Sequence, residues 1–219
     1  MRHHRSIALG RTGPVITALV AAVLLAPTAA VAAVDPGGSR PLAVDSTSGN
    51  TVAKWSAFAD ESVVAACVSP AGERRMMAAL HIAVSDALNA IALRSQPIAF
   101  TGQEPLAYAR SAVAAAASTS LMGVLRSAPG LTADCRQTRT AIVKRAAEKS
   151  MATLPDRPSD WIGVVLGEAA ASAAVSWTAQ HPVGPDLVSM RLARAEADSR
   201  GLSMWETATL LARCSTTGC

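Results

Sequence analysis

The chain has 219 residues, half of them apolar and only 3% aromatic, with a formal charge of +4. That charge does not argue for nucleic acid: Arg2, Arg5 and Arg11 belong to an N-terminal leader, and without them 17 basic residues face 16 acidic ones. So few aromatic side chains also leave few platforms for stacking bases, and no nucleic-acid partner is expected.

In chain order, the first segment is a basic stretch followed by the apolar run VITALVAAVLLA (15–26) and small residues that offer cleavage after Ala32 or Ala33. That order predicts a secretory signal peptide over residues 1–33. The competing reading is an uncleaved membrane anchor, since residues 14–34 are nearly all apolar. Pro27 and the Ala-x-Ala site favour cleavage, so no stable membrane insertion of the exported chain is expected. Residues 34–50, rich in Gly, Pro, Ser and Asp, read as a flexible linker.

From residue 51 the apolar periodicity is helical. A first helix is predicted from Thr51 to Cys67, with Trp55, Phe58 and Val63 on one stripe. Ser69-Pro70 supplies an N-cap and a first-turn proline for a second helix reaching about Arg94, buried along Met77, Leu80, Val84, Leu88 and Ile91. A third, from Glu104-Pro105 to Ser127, is alanine-rich and apolar on most sides, as a central helix would be. Thr132 caps a fourth to about Thr153, with Arg139, Lys144, Arg145, Glu148 and Lys149 on a solvated face. Ser159 is expected to cap a fifth from Asp160 to Gln180, with Trp161, Val165, Ala169 and Ala173 on one face. Arg110 and Glu168 interrupt the two longest apolar runs, which favours packed helices over membrane spans.

The fold expected is all-α: about five main helices over residues 51–181, then an atypical tail over 182–219. In that tail Ser203 and Glu206 have the spacing of a capping box before a short helix. Four cysteines in an exported chain predict disulfides, for which three pairings exist. Cys67 with Cys135 and Cys214 with Cys219 are the favoured pairs.

Polar residues inside the second helix are the candidate site. His81 stands alone beside the apolar stripe, with no second ligand three or four residues away, so a core histidine with a hydrogen-bonded ring is expected rather than a metal ligand or base. Asp86 and Asn89, at i and i+3, are expected to bond each other or a neighbouring helix. No nucleophile elbow, phosphate loop, dinucleotide fingerprint or HExxH is present.

Trp55, the Ser69-Pro70 cap, and the run His81-Ile82-Ala83-Val84-Ser85-Asp86-Ala87-Leu88-Asn89-Ala90 together resemble the N-terminal helical half of bacterial vanadium-dependent haloperoxidase-like proteins, relatives of the type 2 phosphatidic acid phosphatases. The resemblance spans about residues 50–180. It implies an all-helical scaffold in which Trp55, His81, Asp86 and Asn89 are structural signature residues. It also implies a vanadate or phosphate site further along, built from a Lys, an Arg-Pro, a Pro-Ser-Gly-His and a final Ser-Arg followed by a His and an Asp.

This chain departs from that pattern. Lys149 to Arg157-Pro158 is one residue longer than the family spacing, Pro158-Ser159 leads to Asp160-Trp161, and no histidine follows Ser199-Arg200. The expectation is therefore a secreted scaffold portion without the oxyanion-binding segment, with no cofactor on this chain and no activity alone. The change of composition after His181 is what a frame change in the gene would produce. The alternative is a short exported helical module that binds a protein partner, or itself, through exposed apolar helix faces.

Overall fold

The computed structural model describes residues 50–64, 67–181, 183, 187–217 and 219; the expected leader and all of the linker but Asn50 lie outside the described residues. Every regular element among them is a helix: α1 (Thr51–Phe58), running into a π-helical turn (Ala59–Val64), α2 (Pro70–Ala92), α3 (Ala109–Ser127), α4 (Ala133–Met151), α5 (Pro158–Gln180), α6 (Leu187–Ser199) and α7 (Met204–Thr217). The all-helical expectation holds, and the boundaries differ in ways that have local causes.

The first expected helix does not run unbroken to Cys67. Its hydrogen bonding widens at Ala59, and in the wide turn Asp60 is buried. The second stops at Ala92 rather than Arg94, because Leu93 takes a left-handed conformation and closes the end by donating its N–H to Asn89 O. The third begins at Ala109 rather than Glu104. The chain before it is tied elsewhere: Glu104 N–H bonds Ala90 O, and Tyr108 N–H bonds Ser159 O. In α5 the cap is Arg157, not Ser159; Pro158 occupies the first turn, where its missing N–H costs nothing, and Asp160 reaches back to the Arg157 N–H.

The centre of the molecule is α2. Every residue from Met76 to Ala90 is buried, so this helix is enclosed on all sides by α3, α5 and α7 rather than along one stripe. Alanine makes that enclosure possible, since a short side chain lets neighbouring backbones come close. Between α3 and α5 the approach reaches backbone contact. A Cβ on Gly163 would lie 2.6 Å from the Tyr108 carbonyl oxygen, and one on Gly167 would lie 2.7 Å from the Ala116 nitrogen, so backbone packs on backbone at both.

Of the face formed by Trp161, Val165, Ala169 and Ala173, the first three are exposed and Ala173 is half-buried; the packed face carries Gly163, Leu166, Gly167, Ala170, Ala171 and Ala174.

The last segment is part of the core. Asn50 caps α1 through Oδ1 and donates its amide N–H groups to Leu202 O and Thr207 Oγ1, at 3.2 and 2.6 Å. Leu211, Ala212 and Cys214 of α7 are buried, and α7 lies on α2. Ser203 and Glu206 form the capping box read from the sequence. Cys67 is paired with Cys135 and Cys214 with Cys219, the favoured pairing, with Cα–Cα distances of 6.3 and 4.5 Å. The first closes a loop of 68 residues between the start of α2 and the first turn of α4, a constraint on the unfolded chain worth about 4 kcal/mol in the chain-entropy account.

Alanine is normally the better helix former by ~1 kcal/mol over glycine. Gly167→Ala is nevertheless expected to destabilise the protein by about 1–3 kcal/mol, because the methyl group must push α3 away from α5. Thermal or urea unfolding of this variant checks it; an unchanged or raised midpoint would show that α3 and α5 are not in backbone contact.

Candidate functional site

Two places gather polar or reactive groups with a definite geometry: the interior beside His81, and a groove between α3, α4 and α5.

His81 is fully buried between two serines from opposite ends of the described chain. Its Nε2 lies 3.1 Å from Ser56 Oγ of α1 and its Nδ1 lies 3.0 Å from Ser215 Oγ of α7. The Ser215 hydroxyl donates to Leu211 O at 2.8 Å, as a serine inside a helix does. Its proton is thereby committed, so Nδ1 must carry the imidazole hydrogen and donate to Ser215, and Nε2 must accept from the Ser56 hydroxyl. This relay needs a neutral ring. Burial, aided by the positive charge of Arg194, depresses the His81 pKa to about 3.

The Ser56 hydroxyl against a histidine nitrogen has the geometry of a nucleophile and its base. It lacks the other requirements. Ser56 is itself buried, and the space beside it, bounded by Asp60, Met77, Met190 and Arg194, is too small for a water molecule. A ring with a pKa near 3 is also a weak base. The relay ties α1, α2 and α7 together and carries no chemistry.

Its neighbour is an ion cluster with the same role. The buried Asp60 carboxylate accepts from Arg191 Nε and Nη2 at 2.8 and 2.7 Å, and Arg194 lies 3.6 Å away, so α6 is fastened to the π-helical turn.

Asp86 and Asn89 correct the expectation made of them, since they bond neither each other nor another helix. Asp86 accepts three successive backbone N–H groups, from Ile98, Ala99 and Phe100, at 2.7–2.9 Å. Asn89 Oδ1 accepts from the Ser95 N–H and hydroxyl. Both hold the loop that follows α2. Burial pushes the Asp86 pKa above the usual carboxylate value, and the three amides offset part of that rise. Trp55, the remaining signature residue, is buried and meets Phe58 edge to face at 5.4 Å.

The fragments that echo an oxyanion site are each accounted for nearby. Arg157 pairs with Asp160 and stacks over the Tyr108 ring. Arg200 pairs with Glu196, and the Ser199 hydroxyl bonds the Glu196 carbonyl. Lys149 lines a separate shallow cleft with Lys54 and Phe58. Both arginines are thus engaged with acidic neighbours, and His81 is enclosed. No group of three or more His, Cys, Asp or Glu among the described residues could hold a metal ion.

The groove is the open site. It encloses about 510 Å³ and is floored by apolar side chains such as Met122 of α3, Met151 of α4 and Val164 of α5. Three carboxylates, Asp156, Asp160 and Glu168, line it with no lysine or arginine among the lining residues. Trp161, 67% exposed, stands at its edge and donates Nε1–H to Asp156 Oδ1 at 3.3 Å, with Val165 equally exposed one turn on. The Asp160 side chain is only 9% exposed; one oxygen accepts from Arg157, and the other, Oδ1, has no hydrogen-bond partner.

Reasoning from the sequence did not single out this groove. The signal that could have found it is the Gly163-x-x-x-Gly167 pair, which marks the face of α5 that meets α3 and so turns Trp161 outward.

Comparison with protein families, with characterised proteins and with solved structures finds no match for this chain.

The His81 relay makes stability depend on pH. A folded pKa of about 3, below the ordinary 6.5, means that the contribution is full above pH 6.5 and is lost as pH falls toward 3, to the extent of at most about 5 kcal/mol. Asp86, raised by burial, works in the opposite sense, losing stability as pH rises through its folded pKa. Urea midpoints of the parent should fall between pH 7 and pH 4, and His81→Gln, while less stable at pH 7, should fall less. Parallel pH profiles for the two would show that His81 is not buried neutral.

Proposed function

We propose that this chain is a non-catalytic, exported helical module that binds a protein partner, and that the groove between α3, α4 and α5 is its binding face. The observation that carries the proposal is the outward apolar edge formed by Trp161 and Val165 beside a groove floored with methionine and valine, on a helix whose other face is fully used in packing. Contiguous exposed apolar surface on a small protein marks a place of contact. The two disulfides are compatible with an extracytoplasmic location.

The scaffold portion of a haloperoxidase or phosphatase-like protein is the second reading, and one observation favours it. All four residues that carry the resemblance, Trp55, His81, Asp86 and Asn89, are buried and structural, as scaffold residues should be. In that reading the groove receives a separate oxyanion-binding segment. The packing of α6 and α7 weighs toward the first reading, because residues after His181 supply Leu211, Cys214 and Ser215 to the interior. A tail of unrelated sequence would have no reason to complete the histidine relay.

A photo-reactive amino acid in place of Trp161, with the protein exported by its native host, should crosslink one discrete protein or a second copy of the chain. The same probe in place of Arg145, on the solvated side of α4, should not. Equal crosslinking from both positions, or none from Trp161, would remove the groove as the binding face. Vanadate-dependent bromination by the purified chain would overturn the non-catalytic assignment.

A further inference from the structure

Resting on that docking reading, we infer that the occupant of the groove is an amphipathic helix of a partner protein with basic residues seven or eight positions apart.

The only charged side chains lining the groove are Asp156, Asp160 and Glu168. Asp160, Val164 and Glu168 follow one another at intervals of four residues along α5, so they form one stripe with a carboxylate at each end and an apolar residue between. At 1.5 Å per residue the two carboxylates are about 12 Å apart along the axis. A helix lying beside α5 matches that separation with Lys or Arg at i and i+7 or i+8, and places the apolar residues at i+3 and i+4 over Met122, Met151 and Val164.

A second observation points to a cation at the Asp156–Asp160 end. The Asp160 carboxylate is more than nine-tenths buried in the groove wall, and Arg157 satisfies only one of its oxygens. Arg157 offsets the Asp160 charge, whereas Asp156 and Glu168 form no salt bridge among the described residues, so the groove keeps a net negative charge. Arg157 itself is held over the Tyr108 ring and is not among the residues lining the groove. A lysine or arginine brought by the partner would meet the exposed Asp156 carboxylate at this end from the open side. An acidic or purely apolar helix would bury these carboxylates without compensation.

The test uses the full purified chain, with its methionine methyl groups carbon-13 labelled, and three helical peptides of about 18 residues on one Leu-Ala-Gln frame. One carries two lysines seven apart at the edge of the apolar face, one carries glutamates at those positions, and one carries the two lysines three apart. The lysine-seven peptide should shift the Met122 and Met151 methyl signals, leave those of the enclosed Met76 and Met77 in place, and bind at least about tenfold tighter than either other peptide. Glu168→Gln and Asp156→Asn, both at exposed positions, should each weaken it several-fold and should not weaken the glutamate peptide. Equal shifts from all three peptides would overturn the charge-spacing inference while leaving an apolar docking face in place. No shift of Met122 and Met151 with any peptide would overturn both. Unchanged affinity in the two variants would overturn the assignment of the basic residues to these carboxylates.

Discussion

A helix buried on every side must find a partner for each polar side chain it carries, because water cannot reach any of them. From Met76 to Ala90, α2 is in that position, and it carries His81, Ser85, Asp86 and Asn89. The way three of these are satisfied sets the connectivity of the whole molecule. His81 draws one serine from α1 and one from α7. Asp86 collects three amides from the loop after α2, and Asn89 anchors the start of that loop. An alanine-rich core gains little from each buried side chain, since alanine offers so little area. Directional bonds to a central helix then do much to decide which elements lie beside it.

The same logic accounts for the ends of the described chain. Asn50 both caps α1 and reaches the turn between α6 and α7, while Asp60 holds Arg191 of α6. Each of these joins residues more than 130 positions apart through groups that are at least partly buried. Removing one partner from such a pair leaves a polar or charged group without its bond, which costs more than the bond itself contributes. The first and last helices are therefore fastened to each other as well as to the core.

Much of this is legible in the sequence. Helix periodicity, Ser69-Pro70, Thr132 and the Ser203–Glu206 box place α2, α4 and α7 within a few residues, because these signals act locally. The cysteine pairing was reachable from helix ends and proximity in sequence. Three things were not legible, and each depends on distant contacts. The widening of α1 brings Asp60 to two arginines some 130 residues away. The late start of α3 follows from bonds to α2 and to Ser159. The roles of Asp86 and Asn89 rest on an irregular loop, whose path no periodic pattern predicts.

The orientation of α5 was not legible either, and its consequence is the largest. Its composition is apolar around nearly the whole circumference, enough that by length alone it could cross a bilayer, yet only 39% of its most apolar window is buried. Two glycines resolve the ambiguity. Only the face that carries Gly163 and Gly167 can come close enough to α3 for backbone to meet backbone, so the bulkier face with Trp161 and Val165 is left outside. High hydropathy in such a helix is then the sum of two apolar faces with different uses. One is consumed by α3 and α2 in making the fold; the other, bordered by carboxylates, is left over for something the fold itself does not supply.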